Sequence, residues 1–176
     1  HLAITSYKSH GVPIIVARPF NTFGPRQSLR AVIPTIISQL INSNHKKIKI
    51  GNIHSSRDFV YVKDTVNGLI KLSNSKKAIG QVVNISTNNS YSIKNIIEML
   101  IKYTKSNPQL IVEQKRKRKS ELNKLKGSNK KMYKLTKWKP KHSSKLNFSK
   151  ALIETYNWFS NSENLKNYEN IDQYNI

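Results

Sequence analysis

Residues 12–26, Val12-Pro13-Ile14-Ile15-Val16-Ala17-Arg18-Pro19-Phe20-Asn21-Thr22-Phe23-Gly24-Pro25-Arg26, decide how the rest of the chain is read. The apolar run from Val12 to Val16 predicts a buried strand over Val12 to Arg18, and the Pro, Asn, Gly and Pro that follow predict a rigid loop. In open α/β sheets ligands sit at such carboxyl ends of strands, which makes this loop the first candidate binding site. Arg18 and Arg26 flank it with permanently charged, forked donors suited to phosphate, and Asn21 offers both a donor and an acceptor. Taken alone, the stretch fits an ordinary strand-to-helix connection with surface arginines equally well.

Upstream, His1 to His10 reads as the tail of an amphipathic helix with Leu2, Ile4 and Tyr7 on its apolar side. With His rather than Met in first place, this predicts a fragment of a longer chain. Downstream, Ile33, Ile36, Ile37, Leu40 and Ile41 follow the helical period, with Pro34 in the first turn, where a missing N–H costs nothing. Lys47 to Gly51 alternates as a strand, and Asp58 to Val62 predicts another that runs into a helix from Lys63 to Leu72. Asp64 is read as the cap of that helix, accepting from its free N–H groups. Gln81 to Ser86 is a further strand, and Ser92 opens a helix with Ile93, Ile96, Ile97, Leu100 and Ile101 on one face. Leu110 to Val112 is extended, Lys130 to Leu135 and Leu146 to Phe159 are helical, and Trp138-Lys139-Pro140 turns between them. From Asn161 the pattern dissolves, so residues 161–176 are expected to be a disordered tail to a domain over residues 1–160. Strand and helix alternate throughout, which is an α/β architecture.

The composition excludes several functions. The 176 residues include 31 Lys and Arg against 9 Asp and Glu, a formal net charge of +22. Clustered cations bind nucleic acid by releasing counterions, but here the lysines are spread through every segment. The densest block, Lys115 to Lys119, lacks the interleaved aromatics that single strands stack on. No specific nucleic-acid partner is expected. There is no cysteine and no run approaching the ~20 apolar residues of a membrane span, so no membrane association is expected and a cytoplasmic location is. His1, His10, His45, His54 and His142 lack metal-ligand spacing, and no acidic pair suits glycosidase chemistry.

Two further motifs carry charge. Tyr133-Lys134-Leu135-Thr136-Lys137 has the Tyr-x-x-x-Lys spacing of a proton-transfer pair, but in so lysine-rich a chain it is read as structural. Arg57, in Ser56-Arg57-Asp58-Phe59, either meets a diphosphate or is a surface arginine paired with Asp58. No G-x-G-x-x-G follows any strand, so this chain has no dinucleotide cradle of that kind.

The ordered set Ala17 to Gln27, Arg30-Ala-Val-Ile-Pro34, Lys49-Ile-Gly51, Arg57 to Asp64, Asn84-Ile85 and Trp138-Lys-Pro140 resembles the C-terminal half of the NAD-dependent epimerase/dehydratase family, the extended short-chain dehydrogenases. The wording of residues 17–41 is most similar to bacterial UDP-N-acetylglucosamine 4,6-dehydratases of legionaminic-type sugar synthesis, and UDP-sugar 4-epimerases and UDP-glucuronate decarboxylases share much of it. The resemblance implies the C-terminal half of an extended Rossmann-type fold, its last parallel strands and helices plus a small substrate-binding domain. It implies NAD held mainly by a missing N-terminal part, a nucleotide-sugar substrate with UDP favoured, a homodimer when complete, and no catalytic residue in this chain, because the Tyr-x-x-x-Lys pair lies upstream. By the same resemblance, Asn21, Arg30, Val32, Ile48, Arg57 and Arg116 are substrate-binding, with Arg118 an alternative to Arg116, and Pro19 and Phe20 lie beside the nicotinamide. The other reading kept open is a non-catalytic basic binding module.

Overall fold

The computed structural model describes residues 1–44, 46–113 and 122–165. His45, the Lys115–Lys119 block with Arg116 and Arg118, and residues 166–176 of the expected tail lie outside them. In chain order the elements are α1 (Leu2–His10), β1 (Val16–Pro19), β2 (Asn21–Phe23), α2 (Val32–Asn42), β3 (Lys47–Ile50), β4 (Ser56–Arg57), β5 (Phe59–Tyr61), α3 (Val62–Ser73), β6 (Val82–Ile85), β7 (Tyr91–Ser92), α4 (Ile93–Thr104), β8 (Gln109–Val112), β9 (Lys124–Leu125), α5 (Lys130–Thr136), α6 (Lys145–Ser160) and α7 (Ser162–Leu165). The α/β alternation read from the sequence is present, and among the described residues four pairings, β1 with β6, β2 with β5, β3 with β8 and β4 with β9, are parallel. The chain divides into two compact units: residues 1–23, 55–92 and 122–148, and residues 24–54, 93–121 and 149–176.

In the first unit β1 runs beside β6 with Val16 opposite Val82 and Pro19 opposite Ile85. The strand is shorter than Val12 to Arg18, and Val12 is 42% exposed. Pro13 has no N–H to give, and the Ile14 N–H turns back to the Val12 carbonyl at 2.8 Å, so regular pairing begins only at Val16. Gly11 ends α1 in the left-handed conformation that lets its N–H close on the Tyr7 carbonyl at 3.0 Å. A core of Val60, Leu72, Ala78, Val83, Ile85, Met132 and Trp138 lies under this sheet. An aromatic cluster adjoins β5: Phe23 meets Tyr61 at 5.5 Å and Phe148 at 5.1 Å between centroids, and Tyr91 stacks on Phe148 at 4.0 Å.

The expected strand Asp58 to Val62 is present as β5, and Asp58 separates it from a further short strand, β4, directly ahead of it. β4 joins a mixed sheet between β7 and β9, whereas β5 leaves it to pair with β2. α3 then starts at Val62, and Asp64 in its first turn does not cap it. The carboxylate accepts from the Lys141 N–H at 3.1 Å, the His142 N–H at 2.8 Å and faces the His142 ring nitrogen at 3.1 Å, tying down the turn after Trp138. A tertiary partner thus claims the acceptor that local sequence offered to the helix.

In the second unit α2 buries Ile33, Pro34, Ile36, Ile37 and Leu40, the face its period marked. α4 buries Ile93, Ile96, Ile97 and Leu100. β3 alternates as read, with Ile48 and Ile50 inward and Lys47 and Lys49 outward. Gln39 of α2 clasps the strand, accepting from the Lys49 N–H at 2.7 Å and donating to the Lys49 carbonyl at 3.0 Å. The later part of α6 contributes buried Ala151, Leu152, Thr155, Tyr156 and Phe159.

Candidate functional site

Asn21 was expected in a loop and stands in a strand. Three residues, Asn21 to Phe23, pair in parallel with Phe59 to Tyr61, so the corner at Phe20 separates two short strands. This is the step at which the chain leaves β1 for β2, and it opens a hollow of about 300 Å³ lined by Pro19, Phe20, Asn21 and Leu125. Its carboxyl-end position is the place where parallel sheets bind ligands.

Asn21 is exposed, but its amide is aimed. Nδ2 donates to the Asp58 main-chain carbonyl at 3.1 Å, which leaves the side-chain oxygen and a second N–H for another molecule. Thr22 alongside exchanges a hydroxyl contact of 3.0 Å with Thr65. Arg57, one residue before Asp58, is half-buried, and its Nη1 donates to the Ser56 carbonyl at 2.9 Å and the Leu122 carbonyl at 2.8 Å. The surface pairing of Arg57 with Asp58 is not what forms. Asp58 is wholly buried and its carboxylate faces Thr87 and Gly127, so backbone carbonyls orient the guanidinium instead.

Phe20 is also approached from behind by Gly127. A Cβ there would lie 2.5 Å from the Ser86 Cβ and 2.7 Å from both the Ser86 hydroxyl oxygen and the Phe20 Cζ, so only glycine permits the approach. The Ser86 hydroxyl is buried without a hydrogen-bond partner among the described residues. Sequence reasoning singled out neither Ser86 nor Gly127, because nothing local marks a contact made across 41 residues. Burial pushes the Tyr91 phenol above its ordinary value of 10.0, and a hydrogen bond from Asn89 offsets part of that shift.

Of the residues expected at the site, Pro19, Phe20, Asn21 and Arg57 come together in the first unit. Arg30, Val32 and Ile48 belong to the second. Arg30 is exposed and Val32, the first residue of α2, is half-buried. Ile48 has no exposed surface, so the alternation that makes β3 a strand commits its side chain to the core and not to a nucleoside. Arg26 is exposed with φ 65°, a left-handed turn position after Gly24-Pro25. Tyr133 and Lys137 do not share a helix face: Lys137 stands beyond α5 with φ 57° and its ammonium lies 5.2 Å over the Tyr133 ring, not at its hydroxyl. Among the described residues no group of His, Asp or Glu could hold a metal ion, and no helix is long and apolar enough to cross a membrane.

Comparison with known proteins places these features in context. Residues 1–150 match the family model described as GDP-mannose 4,6 dehydratase. The GDP-6-deoxy-D-mannose reductase of Pseudomonas aeruginosa is 29% identical over 136 residues, spanning 75% of this chain and 44% of that protein. The UDP-glucuronic acid decarboxylase 1 of Xenopus tropicalis is 35% identical over 95 residues, 53% of this chain and 22% of that protein. Among solved structures, the UDP-glucuronic acid 4-epimerase of Bacillus cereus in complex with UDP-glucuronic acid and NAD superimposes with a TM-score of 0.76 at 27% identity, over 90% of this chain and 49% of that one. The chain therefore spans about half or less of the length of the relatives it matches.

Proposed function

The chain belongs to the GDP-mannose 4,6-dehydratase family, within the NAD-dependent epimerases and dehydratases, and from that premise we propose that it forms the nucleotide-sugar side of an NAD-dependent 4,6-dehydratase. The observation that carries the reading is the junction at Asp58, whose carbonyl fixes the Asn21 amide beside the hollow and which follows directly on Arg57 at the end of β4. An aimed amide suits a sugar hydroxyl or a phosphate oxygen, and a positioned guanidinium suits a diphosphate. A UDP-sugar is the favoured ligand.

The hollow fits a nicotinamide in part. A proline ring, a phenylalanine and Leu125 offer an apolar wall to a flat heterocycle, with Asn21 the polar group at its edge. The backbone of Pro19 and Phe20 would hold that ring. No glycine-rich cradle follows a strand in this chain, so the pyrophosphate would be held by parts of the full-length enzyme that this chain does not span. When bound, the cofactor supplies the hydride acceptor and donor. The residues here would orient the sugar beside it. Proton transfer is assigned to a Tyr-x-x-x-Lys pair outside this chain, so the chain by itself is proposed to bind and not to turn over. Exposed Leu2, Tyr7 and Val12, with Val66, Leu69 and Ile70 of α3, support a larger assembled body, dimeric when complete.

Calorimetric titration with UDP-N-acetylglucosamine, GDP-mannose and dTDP-glucose tests the proposal. The UDP-sugar should bind, and Asn21→Ala and Arg57→Ala should each weaken it about tenfold, which is about 1.4 kcal/mol. A chain that melts cooperatively yet binds none of the three would overturn the reading.

A further inference from the structure

We infer that Asp58 is a positioning residue for this site: its main chain ties Leu125 and the Asn21 corner, and its buried carboxylate ties Thr87 and Gly127, so that side chain and backbone hold one arrangement. The inference rests on the reading of the hollow as a nucleotide-sugar site and names the group that gives it its shape.

Asp58 has no exposed surface. Oδ1 accepts from the Thr87 N–H at 2.9 Å and from the Thr87 hydroxyl at 2.6 Å, and Oδ2 accepts from the Gly127 N–H at 3.2 Å. The Thr87 hydroxyl is itself oriented, because it accepts from the Asn89 N–H at 3.2 Å. The main chain of Asp58 continues the pattern. Its N–H donates to the Leu125 carbonyl at 2.9 Å, and its carbonyl accepts from Asn21 Nδ2 at 3.1 Å. Three segments distant in sequence, around residues 21, 87 and 125–127, thus close on one residue. Two of the residues so held, Asn21 and Leu125, line the hollow.

The carboxylate acts on ligand binding through these neighbours. Asp58 sits where β4 ends and β5 begins. Gly127 is held at a distance from Phe20 and Ser86 that admits no side chain, and the Asp58 Oδ2 bond is what anchors its N–H there. A neutral amide in place of the carboxylate keeps the volume but presents an N–H to either Thr87 or Gly127, donor against donor. One tie must then open. Asp64 provides a matched control: it is buried and also binds two backbone N–H groups, but those belong to Lys141 and His142, whereas the Asp58 carboxylate holds Gly127, which lies two residues from Leu125 and against Phe20, both lining the hollow.

The test compares Asp58→Asn with Asp64→Asn in the full chain. Each variant is assayed well below its own melting midpoint, for UDP-N-acetylglucosamine affinity and for the NMR signals of the Asn21 side-chain amide and the Leu125 methyls. Asp58→Asn should weaken affinity about tenfold and shift or split both sets of signals. Asp64→Asn should lower the midpoint while leaving affinity within about twofold and those signals in place. If Asp58→Asn does not fold, Thr87→Val, which removes only the hydroxyl donor, carries the same comparison with a smaller expected loss of about threefold. Unchanged Asn21 and Leu125 signals in folded Asp58→Asn overturn the inference, as does an equal affinity loss in Asp64→Asn at matched stability. A wild-type chain that binds no UDP-sugar sinks the functional reading instead, and the NMR comparison still decides whether Asp58 shapes the hollow.

Discussion

The two units of this chain are held together by different physics. The second is aliphatic: α2, α4 and β3 bury Ile33, Ile36, Ile37, Leu40, Ile48, Ile50, Ile96, Ile97 and Leu100, with Gln39 as the polar clasp on β3. In the first, an apolar core is joined by two buried carboxylates, Asp58 and Asp64, the only acidic residues the unit contains. Each accepts backbone N–H groups from the segment 122–148. Apolar contact is non-directional and rewards area, so it fixes that α2 and β3 pack. A hydrogen-bonded carboxylate is directional and costly to leave unmatched, so it fixes where particular atoms stand. The proposed site lies with the second kind of tie.

That contrast can be broken by mutation. Asp58→Ala should have the largest effect, about 3–5 kcal/mol in urea unfolding, because it strands the donors of Thr87 and Gly127 in the interior. A loss under about 1 kcal/mol would mean that water replaces the carboxylate and that the polar tie is dispensable. Leu40→Ala in the second unit should cost about 2–4 kcal/mol through lost burial and an unfilled cavity. Unlike Asp58→Ala it should leave nucleotide-sugar affinity of the folded fraction unchanged, and a parallel loss of affinity would erase the distinction between the units.

Gly127→Ala sharpens the comparison within the first unit. The new methyl group meets Ser86 and Phe20 at 2.5–2.7 Å, so something must shift, at about 1–3 kcal/mol in the same unfolding assay. Its affinity loss should exceed that of Leu40→Ala. The smallest effect is expected at Tyr91. Its raised pKa means that its contribution is fully present below the ordinary value of 10.0 and is lost as pH rises through the folded-state value. Stability measured between pH 9 and 11 should therefore fall less steeply in Tyr91→Phe than in the wild type, and equal slopes would place the alkaline loss elsewhere.

The sequence by itself determined the α/β alternation, the buried faces of α2 and α4, the inward pair Ile48 and Ile50, and the family. Each rests on a period or an ordered motif, and period is a local property that packing then obeys. It also marked Asn21 and Arg57, since a strand emptying into Pro-Phe-Asn and an arginine ahead of a strand are visible in a line of text. It misplaced what depends on a distant partner. Asp64 reads as a helix cap because its own turn offers N–H groups, yet Lys141 and His142 outbid them from 77 and 78 residues away. Val12 to Ile15 read as strand by composition, but a strand exists only where a neighbour supplies its ladder, and that neighbour begins opposite Val16. Only the tertiary structure brought Gly127 against Ser86 and Phe20 and turned the Asp58 carboxylate inward, because a hydrogen bond between residues 58 and 127 leaves no periodic trace in either segment.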